Sequence, residues 1–284
     1  MITISGKTKT VALIGDPVEH SFSPFIHNYG FQTHKLNMIY VNHIVKKHYL
    51  KEAIEGIRAL EYVGVNVTYP HKIEVINYLD EVSKEARLIG AVNTIKNENG
   101  KLIGYNTDGS GFIYGLAQDG IEIKNKTICL FGAGGSAKSI AISLCLKADC
   151  EVIICNRNIE KAEEILYIVN NNNKNFLGKV TQVVTPNDLK LENVDILVNC
   201  TPVGMGKLKG LVPFEDKLKL HKNMIVYDLI YNPYETPLLK VARSQGLTTY
   251  NGLNMLVGQA ILAFEIWTGK ILNFDEIKRI IQKL

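Results

Sequence analysis

Short apolar runs alternate with amphipathic stretches along most of the chain. Residues 11–14 are apolar and end at Gly15-Asp16-Pro17, which predicts a strand closed by a turn. A helix is expected over 24–33, a strand over 38–44, an amphipathic helix over 49–60 and a third strand over 62–67. Strands alternating with helices imply a parallel or mostly parallel sheet. Residues 90–95 and 101–105 flank Asn99-Gly100, a hairpin signal, so two antiparallel strands are expected. A helix over about 110–117 follows, and the polar stretch 118–125 is expected to connect two domains.

A second alternating series begins with a strand at 127–131, a helix at 136–148 and a strand at 151–155, a βαβ unit of roughly 30 residues. A helix over 161–171 runs into an asparagine-rich patch at 170–173, expected to be an exposed loop. Apolar strands at 176–184, 194–199 and 224–229 complete a doubly wound pattern. The mixed stretch 207–222 between them is expected to be mobile. Helix 236–245, a short strand at 248–250, an apolar helix from Gly252 through Trp267 and an amphipathic helix over 274–284 close the chain.

Composition narrows the function classes. The 284 residues suffice for one large or two ordinary domains, and 46% hydrophobic with 21% charged residues is ordinary for a globular protein. The net charge of +4 is scattered, without the basic patch of a nucleic-acid binder. The five cysteines form no C-x-x-C pair; Cys129, Cys155 and Cys200 fall in apolar runs and read as packing residues. This pattern favours reduced thiols in a cytoplasm. Residues 1–10 lack a signal-peptide core, and no apolar run spans a bilayer. The seven histidines lack metal-ligand spacing, so no metal site is expected.

Thr127–Ser139 carries the first candidate chemistry. Gly132, Ala133, Gly134, Gly135, Ser136 and Ala137 follow the strand and open the next helix. There, glycines let the backbone approach a phosphate, and free N–H groups of the first helical turn point at it. The stretch fits the dinucleotide fingerprint G-x-G-x-x-A, with Ala137 at the last position. It also offers Gly132, Lys138 and Ser139 to a P-loop, but Ala137 stands where that motif needs glycine. A glycine turn that merely packs a helix on a strand is the third reading. Strand 151–155 ends in Asn156-Arg157-Asn158, with Lys161 a turn later. NAD-binding proteins carry an acid at this place for the ribose 2′-hydroxyl, whereas a guanidinium binds a 2′-phosphate through paired charge-assisted bonds. The inference is NADP.

Four further groups stand on the first half. Ser21 and Ser23 either cap the following helix or donate together to one carboxylate. Thr68 and Lys72 lie just beyond the third strand, where ligands of parallel sheets bind; Lys72 is expected in the first turn of a helix, an unfavourable place for a cation. A solvated lysine is the plain alternative. Asn93 precedes the hairpin, and Asp108 either caps the helix after it or serves chemistry.

Together these stretches resemble the shikimate dehydrogenase family over nearly the whole chain. The resemblance rests on Ser21-Phe-Ser23-Pro, Asn66-Val-Thr-Tyr-Pro-His-Lys72, Gly90-Ala-Val-Asn93-Thr, Asn106-Thr-Asp108-Gly, Gly132-Ala-Gly-Gly-Ser-Ala137, Asn156-Arg157, Tyr231-Asn-Pro-x-x-Thr-Pro237 and the Gly252–Gln259 helix, in the family order. It implies an N-terminal mixed-sheet α/β substrate domain (1–109, completed by helices in 252–284) and a Rossmann-type doubly wound NADP domain (110–251). It further implies reversible, NADP-dependent reduction of 3-dehydroshikimate to shikimate, on the pathway to chorismate and the aromatic amino acids. By the same resemblance, Ser21 and Ser23 hold the substrate carboxylate, and Thr68, Asn93, Asp108, Tyr231 and Gln259 contact ring hydroxyls or the carboxylate. Lys72 and Asp108 form the catalytic pair, and Thr201, Leu229 and Gly252 join the glycine turn, Asn156, Arg157 and Lys161 around the cofactor.

The partners so implied are small molecules, with neither nucleic acid nor membrane, for a monomer or homodimer. Two departures stand out: Asn158 where many members have Thr, and Tyr69 where a small apolar residue is usual. The paired serines favour shikimate over quinate. Competing readings are an NAD-accepting quinate/shikimate dehydrogenase, a non-catalytic nucleotide sensor, which should have lost Lys72 or Asp108, and a P-loop NTPase.

Overall fold

The computed structural model describes residues 4–214 and 220–283. In chain order its first elements are β1 (Lys9–Gly15), α1 (Ser23–Thr33), β2 (Met38–Ile44), α2 (Leu50–Ala59), β3 (Gly64–Val67), β4 (Glu81–Val82), α3 (Lys84–Ile89), β5 (Thr94–Glu98), β6 (Lys101–Tyr105) and α4 (Asp108–Gln118). There follow β7 (Thr127–Phe131), α5 (Gly135–Lys147), β8 (Glu151–Cys155), α6 (Ile159–Asn171), β9 (Lys179–Val184), β10 (Ile196–Asn199) and β11 (Ile225–Asp228). The chain ends with α7 (Pro237–Ser244), β12 (Thr248–Tyr250), α8 (Leu253–Thr268) and α9 (Phe274–Ile281). Two compact units emerge: Met1–Gly111 with Val257–Leu284, and Phe112–Leu256. The division falls within α4 and α8, so 118–125 belongs to the second unit.

The first unit is built on a mixed six-stranded sheet, β2-β1-β3-β5-β6-β4. β1 pairs in parallel with β2 and β3, while the β5–β6 hairpin runs antiparallel beside β3. Ala12, Ile14, Val65, Val67, Ile95 and Leu102 bury one face against Leu50, Ile54 and Ile57 of α2, the apolar stripe expected from its sequence. The C-terminal helices return to this unit. The Trp267 indole of α8 donates to the Ile95 carbonyl at 2.9 Å, and Gly64 makes room for it, since a Cβ there would overlap the indole.

His27 of α1 is the unusual core residue. Its ring is fully buried, 4.6 Å from Tyr40 and 5.1 Å from Trp267 between centroids, and both ring nitrogens lack a hydrogen-bond partner among the described residues. Burial lowers its pKa to about 3. The unfolded chain therefore binds a proton between the ordinary histidine value of 6.5 and about 3 that the folded chain refuses, so this residue removes stability as pH falls through that window. Replacing His27 with Phe keeps the stacking and deletes two orphaned polar atoms, each unsatisfied group costing about 1–3 kcal/mol, against some overpacking. His27→Phe should raise the urea midpoint at pH 7, and the gap to wild type should widen at pH 5.

The second unit is a parallel sheet in the order β12-β11-β10-β7-β8-β9, the doubly wound arrangement of dinucleotide-binding folds. Its strands are apolar on both faces because both are covered. Ile128 and Leu130 pack with Ile140, Leu144, Ile165 and Val169 of α5 and α6. Cys129 and Phe131 pack on the opposite side with Leu238, Leu239 and Ala242 of α7. Burial pushes the thiols of Cys145 and Cys155 up to about 12 and that of Cys150 to about 11, as for packing residues.

Several expectations need correction. Lys72 lies in a turn before a single 3-10 stretch, Glu74–Tyr78, which no side chain caps, so the expected helix does not form. β4 and α3 were not expected; Ser83, which accepts from the Ala86 N–H, and left-handed Gly90 bracket α3 too tightly for a periodicity to show. α6 ends at Asn171 as expected but starts at Ile159, a 3-10 turn at Asn173–Asn175 follows, and β9 starts only at Lys179. The stretch 207–222 begins within a 3-10 turn, Gly206–Leu208, and its residues 215–219 lie outside the described residues, as does residue 284 of the expected last helix.

Candidate active site and nucleotide-binding site

The strand pairing of the first unit gathers four polar segments at one sheet edge. β1, β3 and β6 end there and β5 begins there, as the pairs Asn66–Thr94 and Thr94–Tyr105 show. Beyond β1 come Ser21 and Ser23, beyond β3 Thr68 and Lys72, before β5 Asn93, and beyond β6 Asp108. Gly15 and Thr68 sit back to back, for a Cβ on Gly15 would overlap the Thr68 methyl.

Lys72 Nζ donates to Asp108 Oδ2 at 2.7 Å, with the lysine side chain 32% and the aspartate side chain 13% exposed. The second carboxylate oxygen accepts from Asn93 Nδ2, also at 2.7 Å. Asn93 is itself fixed, its Oδ1 accepting from the Thr107 N–H at 2.8 Å and from the Thr94 hydroxyl at 3.0 Å. Asp108 is thus committed to Lys72 and Asn93 rather than to capping α4; Asn106 Oδ1 instead accepts the Asp108 N–H at 3.0 Å. A half-exposed ammonium held by a rigid carboxylate can pass a proton to or from a bound oxygen and be recharged from solvent.

Phe22, the residue before α1, is in helical conformation and carries no cap bond of its own. Ser21 Oγ takes the first N–H of the helix, that of Ser23, at 3.2 Å, and donates to Ser23 Oγ at 3.1 Å. The buried Tyr40 phenol donates its one hydrogen to Asn66 Oδ1 at 2.7 Å. Asn66 Nδ2 donates on to Thr94 Oγ1 at 3.1 Å, and Thr94 to Asn93. One donor chain therefore runs Tyr40, Asn66, Thr94, Asn93 and ends on Asp108. Tyr40 and Thr94 were not singled out from sequence, because in an apolar strand they read as packing residues.

Gln259 is half-buried on α8 and packs against α4 one turn after Asp108, since a Cβ on Gly111 would overlap the Gln259 backbone. Gly258 meets the Gly111 carbonyl in the same way, so two glycines set this helix crossing. Tyr231 belongs to the second unit, where burial raises its phenol pKa.

In the second unit the glycine turn follows β7, which neighbours β10 at the point where the strand order reverses. Gly132 adopts φ +117, a conformation that favours glycine, and a Cβ there would approach Thr201 Cγ2 to 3.0 Å. Among the described residues, Cβ atoms on Gly134 or Gly135 would meet nothing within 4 Å, and no side chain caps α5. Open space over uncapped N–H groups fits a phosphate. The P-loop reading fails on its own residues: Lys138 is paired with Glu164 at 2.6 Å, and the Ser139 hydroxyl donates to the Gly135 carbonyl at 2.9 Å, buried away from the turn.

Arg157 is exposed just past β8, without an ion pair among the described residues. Asn156 Nδ2 donates to the Asn158 carbonyl at 2.7 Å, and Asn158 caps α6 by accepting the Lys161 N–H at 3.1 Å. Asn158 thus shapes the loop that presents Arg157 and Lys161. Thr201 follows β10, and Leu229 follows β11 against Gly252, where a Cβ would overlap the Leu229 carbonyl. These donors, with no acid at the end of β8, fit a dinucleotide carrying a 2′-phosphate. Among the described residues there is no cluster of His, Cys, Asp or Glu able to hold a metal, and no helix is long and apolar enough to cross a membrane.

Comparison with known proteins gives the family. The family model for the shikimate dehydrogenase substrate binding domain matches residues 13–95, that for shikimate/quinate 5-dehydrogenase residues 115–204, and that for the shikimate 5′-dehydrogenase C-terminal domain residues 252–282. The shikimate dehydrogenase (NADP+) of Methanocaldococcus jannaschii is 48% identical over 279 residues, covering 98% of each chain. The chain belongs to the shikimate dehydrogenase family. A crystal structure of a shikimate dehydrogenase in complex with NADP+ superposes with a TM-score of 0.91 at 46% identity, covering 99% of this chain and 97% of that one. The Listeria monocytogenes shikimate 5-dehydrogenase, solved with shikimate and NAD, gives 0.92 at 36% identity, covering 98% of each. The mixed sheet and the doubly wound sheet are therefore those of this family, as expected from the sequence.

Proposed function

We propose that the chain is a shikimate dehydrogenase, reversibly reducing 3-dehydroshikimate to shikimate with NADPH on the cytoplasmic route to chorismate and the aromatic amino acids. The observation that carries this reading is the Lys72–Asp108 contact of 2.7 Å, held by Asn93 at the same sheet edge as the serine pair. The first unit is then the substrate-binding and catalytic part, and the second holds NADP through the glycine turn (Gly132–Ala137), Asn156, Arg157, Lys161, Thr201, Leu229 and Gly252. NADPH, when bound, supplies the hydride to the ketone carbon. Ser21 and Ser23 donate to the substrate carboxylate, while Thr68, Asn93, Tyr231 and Gln259 fix the ring hydroxyls or that carboxylate. Lys72 gives its proton to the ketone oxygen as it becomes the hydroxyl, and takes it back in the oxidative direction. Asp108 orients Lys72 through their 2.7 Å contact. A rise in absorbance at the NADPH band on mixing the protein with NADP and shikimate is the expected result; no rise would overturn the reading.

The donor chain yields a second expectation. Thr94→Val preserves shape but removes both the acceptor for Asn66 and the donor to Asn93. A buried hydrogen bond of this kind contributes about 1 kcal/mol, with a further penalty for partners left unpaired. The kcat/KM for shikimate should fall roughly tenfold while NADPH affinity, titrated by fluorescence, is unchanged.

A further inference from the structure

The second unit buries a carboxylate that neither the glycine turn nor Arg157 explains. Asp228 closes β11 and Asn199 closes β10, the two lying opposite each other in register and both fully buried. Asp228 Oδ1 accepts from Asn199 Nδ2 at 3.0 Å and from the Ile230 N–H at 3.1 Å; Oδ2 accepts from the Thr236 hydroxyl at 2.7 Å. These donors are neutral, and no cation pairs with the carboxylate among the described residues. A buried carboxyl group is retained at considerable desolvation cost, so its three bonds do something that an apolar residue could not.

What they do is join two loops. Asn199 Oδ1 accepts from both the Thr201 N–H, at 3.0 Å, and the Thr201 hydroxyl, at 2.7 Å. Thr201 is the residue whose methyl lies over Gly132 of the glycine turn. On the other side, Asp228 is followed by Leu229 and Ile230; Leu229 abuts Gly252, and the Ile230 carbonyl accepts the Gly252 N–H at 3.1 Å. Thr236, at the cap of α7, ties the far end of the β11 loop back to the same carboxylate. The loops after β10 and β11 flank the place where this strand order binds dinucleotides.

We propose that Asp228, through Asn199 and Thr236, is a positioning residue for the nucleotide, holding the loops of Thr201 and Leu229 as one rim beside the glycine turn. This rests on the NADP reading above. All three partners donate to the carboxylate; Asp228→Asn keeps the two N–H partners on its oxygen only by turning its NH₂ to Thr236, whose hydroxyl must then reverse from donor to acceptor.

The test is a fluorescence titration of NADPH in the absence of shikimate, on full-length wild type, Asp228→Asn, Thr236→Val and Thr236→Ser, with thermal melts alongside. The dissociation constant is expected to rise roughly tenfold or more in Asp228→Asn and Thr236→Val, while Thr236→Ser, which keeps the donor, stays within about twofold of wild type. A merely structural role would lower the melting temperature and the active fraction but leave the dissociation constant of the folded fraction unchanged, and that result would overturn the proposal. Should Asp228→Asn fail to fold, the contrast between Thr236→Val and Thr236→Ser decides. Wild type that binds NADPH without oxidising shikimate would sink the proposed activity and leave this inference standing; wild type that binds no NADPH would sink both.

Discussion

Lys72→Ala should lower kcat for shikimate oxidation by roughly 10²–10⁴-fold, the usual worth of a positioned general acid or base. The geometry gives the reason for expecting so large an effect. Lys72 Nζ has one anionic partner, Asp108 Oδ2 at 2.7 Å, and that carboxylate cannot swing away because Asn93 holds its other oxygen at 2.7 Å. Asn93 in turn is locked by Thr107 and Thr94. The proton donor is therefore preorganised, and alanine leaves neither a donor nor a side chain that water could replace in the same position. NADPH affinity should change little, because the glycine turn, Arg157 and Thr201 belong to the other unit. Stopped-flow turnover together with NADPH titration reads both quantities. A variant with near-normal kcat would exclude Lys72 as the proton donor. One with normal kcat/KM at low shikimate but altered NADPH affinity would place the lysine with the cofactor instead. The same logic predicts that Asp108→Asn, which keeps the shape and loses the charge, falls short of the Lys72→Ala loss, since the lysine remains.

How much of this was legible beforehand depends on sequence distance. The glycine turn and Arg157 were readable because their chemistry is local: a strand, a turn, a helix start and the end of the next strand lie within one βαβ unit. Arg157 alone turned a phosphate site into an expected 2′-phosphate site. Lys72 and Asp108 are 36 residues apart, and no spacing rule joins them. Taken singly, each had a plain alternative as surface lysine or helix cap, and only family resemblance paired them. Tyr40, Asn66 and Thr94 show what was missed. Asn66 and Thr94 face each other across the β3–β5 pairing, and two polar residues in register within buried strands are a signal. It could not be read until the pairing was known. Asp228 and Asn199 repeat the lesson in the other sheet, as a polar pair in register at the ends of β10 and β11. In each case the strands themselves were predictable from apolar runs, while the alignment of one run against another was not.

Arg157→Asp should reverse the cofactor preference, raising KM for NADP about a hundredfold while NAD is used as well as before or better. Arg157 is exposed beyond β8 and carries no ion pair among the described residues, so its guanidinium is available to a ligand rather than spent on the fold. Charge-assisted bonds of a guanidinium to phosphate contribute about 1.5–3 kcal/mol, and an acid in its place adds repulsion to that loss. The same acid can accept from an unphosphorylated ribose 2′-hydroxyl, the contact by which NAD-binding folds select their cofactor. Two neighbouring cations test how far the preference rests on Arg157 alone. Lys138 cannot take over, being held by Glu164 at 2.6 Å. Lys161 can contribute only part, as a point charge in the first turn of α6 without the guanidinium fork. Arg157→Ala should therefore lose NADP affinity without gaining NAD, and Arg157→Asp should do both. The ratio of kcat/KM for NADP to that for NAD, measured at fixed ionic strength across wild type and both variants, distinguishes these outcomes. An unchanged ratio in Arg157→Asp would show that the 2′-phosphate is bound elsewhere, whereas a fall in Lys161→Ala as large as in Arg157→Ala would move the principal contact one helical turn along α6.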